Sequence, residues 1–430
     1  MSAATTLTWI YTKASIRPRT ASIVGIGVVS IAFLLSFLQY CLTRVDLVRL
    51  APMAVLIGGM LLFLLACPAA QRKTILAEVA RPSLLAVTVL ATVPALLSSL
   101  YRGSLYPFEY GLVMLATLAS ARVLLSGIGF AGLLRAFFCS TTLGMLIVAG
   151  LTFSDLIKAA SGAQRYYPYY FEPNRIAFFA VTAIPAQLWI ASRGSHHRLA
   201  LVASALCVLV TVAASSRGST GALLIGAAIT LFLILARNQR RPAMTIARSK
   251  IAALLILLVA ATAFCAAKPA LLPAAGDFFR NKLAIDSKAR GLDSGLTGRT
   301  NGWNTLLDVL PKTSWLVGNG YRTSDEDFDF SVDSGYLANA YEMGIFSTAV
   351  ILAKYILVLA GLTAVYLTRH RPTSPIPFLI FTLGVFFANG FVHRVLFGYG
   401  DPASLFALFC FVSTRKDANA ASGSWLLAPG

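Results

Sequence analysis

The sequence predicts an all-α integral membrane protein of about twelve transmembrane helices, with one large polar loop near the C-terminus. Three observations predict it. The chain of 430 residues is 57% hydrophobic and only 12% charged, about half the charged share of an ordinary soluble chain. Its apolar residues gather in continuous stretches near the roughly 20 residues a helix needs to cross about 30 Å of hydrocarbon. One interval, roughly Leu271 to Val332, interrupts them; counted to Asp333, it holds more than half of the 17 acidic residues. Continuous apolar runs fit helices rather than the alternation of an outer-membrane barrel, and open strands would leave backbone groups unsatisfied in lipid.

The first run, 21–40, follows Lys13, Arg17 and Arg19. It is long and ends in Phe37-Leu38-Gln39-Tyr40 instead of a small-residue cleavage site. It therefore reads as a retained helix and not as a signal peptide. Runs at 50–68, 83–101, 110–128 and 130–152 follow, the boundary around Ser126 and Gly127 being the least marked. Runs at 175–192, 199–215, 219–236 and 251–270 complete nine spans within 1–270. Residues 271–333 form the polar loop with its short helices; in it Asn304 to Leu310 reads as a short amphipathic helix that stops at Pro311. The run 334–366 exceeds one crossing, so its first turns project beyond the bilayer. Runs 376–391 and 395–413 complete the segment 334–415, and 416–430 is a tail. Six scattered cysteines, most inside apolar runs, have neither metal-ligand spacing nor a disulfide framework and read as small core residues.

The net charge of +19 invites a nucleic-acid reading, which the distribution argues against. With the N-terminus in the cytoplasm and twelve alternating spans, basic residues such as Arg72, Lys73, Arg122, Arg135, Arg193, Arg237, Arg369 and Lys416 collect on the inner side, with only Glu78 and Asp417 as acids. This is the positive-inside pattern, and the basic excess also meets anionic headgroups. Both termini then face the cytoplasm and the polar loop lies outside it. Chemistry on that outer side has no ATP, so an enzyme there needs an activated substrate such as a lipid-linked diphosphate.

Candidate residues lie on this outer side. Arg217, in Ser215-Ser216-Arg217-Gly218-Ser219, sits between two spans with almost no loop. A charge at that depth is paired, functional, or snorkels to headgroups, and a guanidinium fork matches phosphate oxygens. Arg299, in Gly298-Arg299-Thr300-Asn301-Gly302-Trp303, stands near a helix start, where its guanidinium and the helix amides can share one anion; the plainer reading is a solvated loop arginine. Gly318-Asn319-Gly320-Tyr321 reads as a turn. The acidic run Asp325 to Asp329 lacks the spacing of a calcium loop. Asp333, where the loop re-enters the membrane, is either the cap of the following helix or a base for a sugar hydroxyl. Arg165, Tyr166, Tyr167, Tyr169, Tyr170, Glu172, Asn174 and Arg175 read as an interfacial aromatic belt or as a saccharide surface, with ring faces for C–H groups and polar tips for hydroxyls. His393-Arg394 occupies a very short outer turn, for topology or for substrate.

The order of these features resembles the bacterial O-antigen ligase and Wzy polymerase superfamily. An arginine after serine at an outer helix end (Arg217) comes first, then Gly298-Arg299 with Trp303, and then the Gly318-Asn319-Gly320 turn. A polar residue before Gly335-Tyr336-Leu337 and Glu342-Met343-Gly344-Ile345 closes the series. The resemblance runs from about Tyr166 to Phe346. It implies a metal-independent, cofactor-free glycosyltransferase of the GT-C type in the bacterial inner membrane. Such an enzyme moves glycan from undecaprenyl diphosphate on the periplasmic face, among membrane lipid, and admits a chain-length regulator or a flippase as partner. It further implies Arg217 and Arg299 as holders of the donor diphosphate, and Asp333, with Tyr336 nearby, at the position where ligases commonly carry histidine. That departure favours an O-antigen or exopolysaccharide polymerase over a ligase acting on lipid A-core. A transporter of lipid-linked oligosaccharide is the reading from another class. It predicts repeats, interrupted helices and charges inside the spans. The halves show no clear repeat, and Lys354 and Arg122 are the nearest mid-span charges.

Overall fold

The computed structural model describes residues 17–41, 50–103, 105–161, 172–193, 196–214, 216–238, 299–310, 316–328, 332, 334–368, 374–394, 396–398 and 400–422. No strand occurs among them. The helices are α1 (Arg17–Cys41), α2 (Ala51–Ala66), α3 (Ala69–Val79), α4 (Pro82–Arg102), α5 (Leu105–Leu151), α6 (Phe153–Ser161), α7 (Pro173–Ser192), α8 (His197–Ala213) and α9 (Arg217–Asn238). They continue with α10 (Arg299–Val309), α11 (Ser324–Asp327), α12 (Gly335–Thr368), α13 (Ile376–Gly390), α14 (Pro402–Phe411) and α15 (Arg415–Ser422).

Among the described residues six helices are long and apolar enough to cross a membrane: α1, α4, α5, α7, α9 and α12. Four shorter apolar ones, α2, α8, α13 and α14, accompany them. Leu62 and Leu65 on α2, Phe232 on α9, and Ile356 and Leu357 on α12 are exposed. Such apolar walls are a liability in water and what a lipid-facing surface requires. The architecture fits an all-helical membrane protein. Hydroxyls inside these helices, such as Thr92, Ser140 and Thr182, donate to the carbonyl four residues back, which satisfies them without a partner helix.

The long α5 is two helices, and the chain reverses between them. Gly129, with φ 62° and ψ 178°, is its one non-helical residue. The direction of each half follows from its neighbours. A Cβ on Gly59 would stand 2.2 Å from Val28, and one on Gly25 would stand 3.2 Å from Phe63, so α1 and α2 are antiparallel. Thr117 reaches Met53 at 2.9 Å and Gly127 abuts Phe63, so residues 105–128 run parallel to α2. Gly132 and Gly144 abut Ile26 and Phe37, so residues 130–151 run parallel to α1. The weak boundary at Ser126–Gly127 is thus a hairpin at Gly129, where a positive φ suits glycine.

Other boundaries differ from the sequence reading in instructive ways. The run 334–366 is broken at Gly344, φ 82°. The short helix of the polar loop starts earlier, at Arg299, and ends at Val309. The last apolar run becomes helical only at Pro402, because Asp401 caps that helix through Ser404 N at 2.8 Å and proline suits its first turn. The run 251–270 lies outside the described residues.

The two acids that the charge count assigns to the basic side meet on one arginine. Arg122 is 2% exposed and pairs with Asp417 at 2.6 Å and Glu78 at 3.5 Å. Glu78 also holds Arg81 at 2.9 Å and Lys416 at 2.8 Å. The Lys416 hydrogen bond, ahead of the neighbouring positive charges, keeps the Glu78 carboxyl below its usual range. Lys354 Nζ donates to Ser413 O at 2.8 Å. Helices α3, α5, α12 and α15 are thereby joined at one end of the bundle.

A candidate polar site at the Arg394 end of the bundle

The opposite end collects most of the candidate residues that the structure describes. Helices α9 and α13 pack antiparallel. A Cβ on Gly384 would lie 3.4 Å from the Gly226 backbone, and one on Gly218 would lie 2.7 Å from Val392. Small residues let the two backbones approach closely, which is how helices pack where lipid supplies little hydrophobic drive. Arg217, the first residue of α9 and half-buried, therefore lies beside the turn that follows α13.

That turn is made by Val392 N and His393 N, which donate to Asn389 O at 2.9 and 2.8 Å. His393 O in turn accepts the amide of Gly335, the first residue of α12, at 3.1 Å. Tyr336 Oη donates to Phe387 O at 2.9 Å, and its ring packs on Phe391. The cap-type hydrogen bond of α12 runs from Leu337 N to Ser334 Oγ at 3.5 Å. It thus comes from the residue after Asp333, which itself lies outside the described residues. The His393 ring stacks on Phe178 at 5.3 Å and 19°, which brings the first turns of α7 to the same place.

Glu172 and Arg175 open α7 and close on each other at 2.5 Å. Arg175 also donates to Tyr40 O at 3.2 Å and sits 5.1 Å over the Tyr40 ring. The Glu172 amide donates to Cys41 O at 3.2 Å. These residues tie α1 to α7, while Glu172 and Arg175 keep about two-fifths of their side-chain surface open. Asn174 between them is half-buried.

The Gly318-Asn319-Gly320 turn is a docking element. Asn319 N and Gly320 N donate to Tyr341 O and Glu342 O at 3.0 and 2.9 Å. A Cβ on Gly318 would fall 2.3 Å from Glu342 O, and one on Gly344 would fall 2.2 Å from Leu316 O. Glycines on both sides permit the backbones to touch where α12 is broken. Tyr321 then plugs between α4 and α5, 2% exposed, with its amide donating to Ser99 Oγ and its hydroxyl to Thr92 O. Arg102 closes on Asp327 through both terminal nitrogens, and Tyr341 Oη donates to the same carboxylate at 2.8 Å. The hydrogen bond from Arg102, with that from Tyr341 behind it, keeps the Asp327 carboxyl below its usual range.

The structure gives partners to residues that the sequence reading left without a role. Glu342 is 4% exposed and pairs with Arg394. Ser324 Oγ donates to the same carboxylate at 2.6 Å. The signal was present: an acid inside the apolar run 334–366, a third charge to set beside Arg122 and Lys354. Arg322, φ 62°, holds its guanidinium 5.8 Å from the Tyr110 ring centre. No sequence pattern marked that contact, because it joins segments about two hundred residues apart.

Arg217, Tyr336, His393 and Arg394 are brought to one end, with Glu172, Asn174 and Arg175 joined to it through Phe178. Arg165, Tyr166, Tyr167, Tyr169, Tyr170 and Asp333 lie outside the described residues. Arg299 is described as the first residue of α10 but not in its side chain. Among the described residues no three His, Cys, Asp or Glu side chains gather as ligands for a metal ion. Comparison with protein-family models and with curated proteins finds no match to the chain.

Proposed function

We propose that this chain is a Wzy-type polysaccharide polymerase of the bacterial inner membrane, with about twelve spans and its large loop in the periplasm. It would take a glycan linked to undecaprenyl diphosphate and pass it to the next lipid-linked repeat unit. One observation carries the reading. Arg217 opens α9 beside Val392, and His393 of that same turn is hydrogen-bonded to Gly335, two residues after Asp333. An arginine suited to phosphate and the segment bearing a candidate base thus adjoin one turn that itself carries His393 and Arg394.

The chemistry follows from those groups. The acceptor hydroxyl attacks the anomeric carbon of the donor glycan, and the bond from that carbon to the diphosphate oxygen breaks. Asp333 takes the hydroxyl proton. Arg217 and Arg299 balance the charge gathering on the departing diphosphate, a stabilisation that grows toward the transition state. Tyr166, Tyr167, Tyr169 and Tyr170 hold saccharide.

The test is genetic. The gene is deleted in its host, and surface glycans are compared on gels before and after complementation with wild type, Arg217→Ala, Arg299→Ala and Asp333→Ala. Single repeat units in the deletion strain, restored to long chains by wild type alone, are the expected result. Long chains retained on undecaprenyl diphosphate and absent from lipid A-core would instead identify a ligase. Unchanged glycans would overturn both, and full rescue by all three variants would overturn the site.

A further inference from the structure

Glu342 joins three separate parts of the chain. Its side-chain oxygen Oε1 receives both Arg394 and the Ser324 hydroxyl, the latter at 2.6 Å. Its main-chain carbonyl receives the Gly320 amide at 2.9 Å. It therefore binds the docked segment 316–328, the first part of α12 and the turn after α13 at a single residue. Burying a carboxylate and a guanidinium together costs desolvation that their attraction at best offsets, so what such a pair contributes most dependably is geometry. A guanidinium carries five N–H donors in a rigid plane, and a carboxylate engages at most two of them. Fixing one edge of that plane sets the direction of the others. The Arg394 side chain is 14% exposed, so it reaches the surface, and it does so two residues after Val392, the neighbour of the Arg217 end of α9.

We propose that Glu342 is a positioning residue: it holds the Arg394 guanidinium in the orientation that receives the diphosphate of the lipid-linked donor beside Arg217. This rests on the function proposed above and adds to it the residue that aims Arg394. Glu342 does not itself meet the donor, since its side chain is 5% exposed and its Oε1 is taken by Arg394 and Ser324.

The test uses the purified full-length protein in detergent, with undecaprenyl diphosphate as probe and phosphatidylglycerol as competitor. Affinity and melting temperature are measured together for wild type, Glu342→Gln, Glu342→Gln with Arg394→Gln, and Glu342→Asp. The double variant replaces the ion pair by a neutral hydrogen-bonding pair. It is expected to recover the wild-type melting temperature while binding the diphosphate at least about tenfold more weakly. Glu342→Asp keeps the charge but draws the carboxylate back by one methylene; it is expected to weaken binding several-fold at unchanged net charge, and it decides the matter if the double variant does not fold. Wild-type affinity in the double variant, or in Glu342→Asp, would reduce the pair to a structural tie and overturn this inference alone. Equal displacement of the probe by phosphatidylglycerol would make Arg394 a headgroup contact and also overturn it. A wild-type protein that binds no undecaprenyl diphosphate would overturn the proposed function together with this inference.

Discussion

Asp327 shows how a loop acid is fixed to the bundle. Arg102 and Tyr341 both hydrogen-bond to its carboxylate, and the arginine's hydrogen bond is the larger cause of its lowered pKa. The ordinary value is 3.8, and the folded value lies below it. The contribution to stability is therefore present above about pH 4, the unfolded value, and is lost as the pH falls through the lower folded value. The two side chains are 33% and 22% exposed, so solvent screening limits the effect to about 1 kcal/mol or less. Thermal melts of wild type and Asp327→Asn from pH 3 to 7 test this. The wild type should melt higher at neutral pH, with the gap closing in acid. A gap constant across that range would show that the ionised carboxylate contributes nothing. Arg122 is the buried counterpart: a cation within an apolar helix whose burial is tolerable because Asp417 and Glu78 close on it.

At the scale of elements, the decisive features are the places where helices stop. Gly129 turns one apolar run into a hairpin, and Gly344 breaks another where the Gly318-Asn319-Gly320 turn docks. Irregular backbone beside a membrane needs partners, because its amides and carbonyls cannot be left to lipid; Tyr341 O and Glu342 O find theirs in Asn319 N and Gly320 N. Gly344→Ala would put a side chain at φ 82° and a Cβ 2.2 Å from Leu316 O. Backbone strain of this kind costs about 1–3 kcal/mol, and the turn would also have to withdraw. Hydrogen exchange at the Asn319 and Gly320 amides should accelerate in Gly344→Ala. Gly361→Ala, whose Cβ meets nothing within 4 Å, should leave it unchanged. Equal exchange in the two variants would show that the turn does not depend on the break.

At the scale of the whole molecule, the two ends of the bundle differ in chemistry. One end carries the Arg122 network with Glu78, Arg81, Lys416 and Asp417. The other carries the Glu342–Arg394 pair, the Asp327–Arg102 pair and the start of α9. The charge distribution predicts that the first end faces the cytoplasm. Single cysteines placed at the exposed positions Glu326 and Ala420, in a background with the native cysteines replaced, test that orientation. A membrane-impermeant maleimide on spheroplasts should label Glu326→Cys at once and Ala420→Cys only after permeabilisation. The reverse pattern would invert the topology and move the proposed site to the side where ATP is present.

The helices themselves were legible in the sequence. The predicted runs at 21–40, 83–101, 175–192 and 376–391 agree with α1, α4, α7 and α13 to within a few residues, because apolar length is a local property that backbone satisfaction in lipid enforces residue by residue. Part of the candidate site was legible too: Arg217, His393 and Arg394 stood out as charges at helix ends. Their partners did not. Glu342 entered only as part of the Glu342-Met343-Gly344-Ile345 series, and that it meets Arg394 and Ser324 depends on where α12 breaks and where the docked turn lands. Asp327 read as one acid in an acidic run, and only packing against α4 brings it to Arg102. The sequence by itself determined the helical class, the length of most helices and the division of charge, all of which follow from local composition. The tertiary structure decided which charges pair, which glycines carry a break and which helix ends adjoin, because ion pairs and backbone contacts between residues far apart in the chain exist only once the helices have packed.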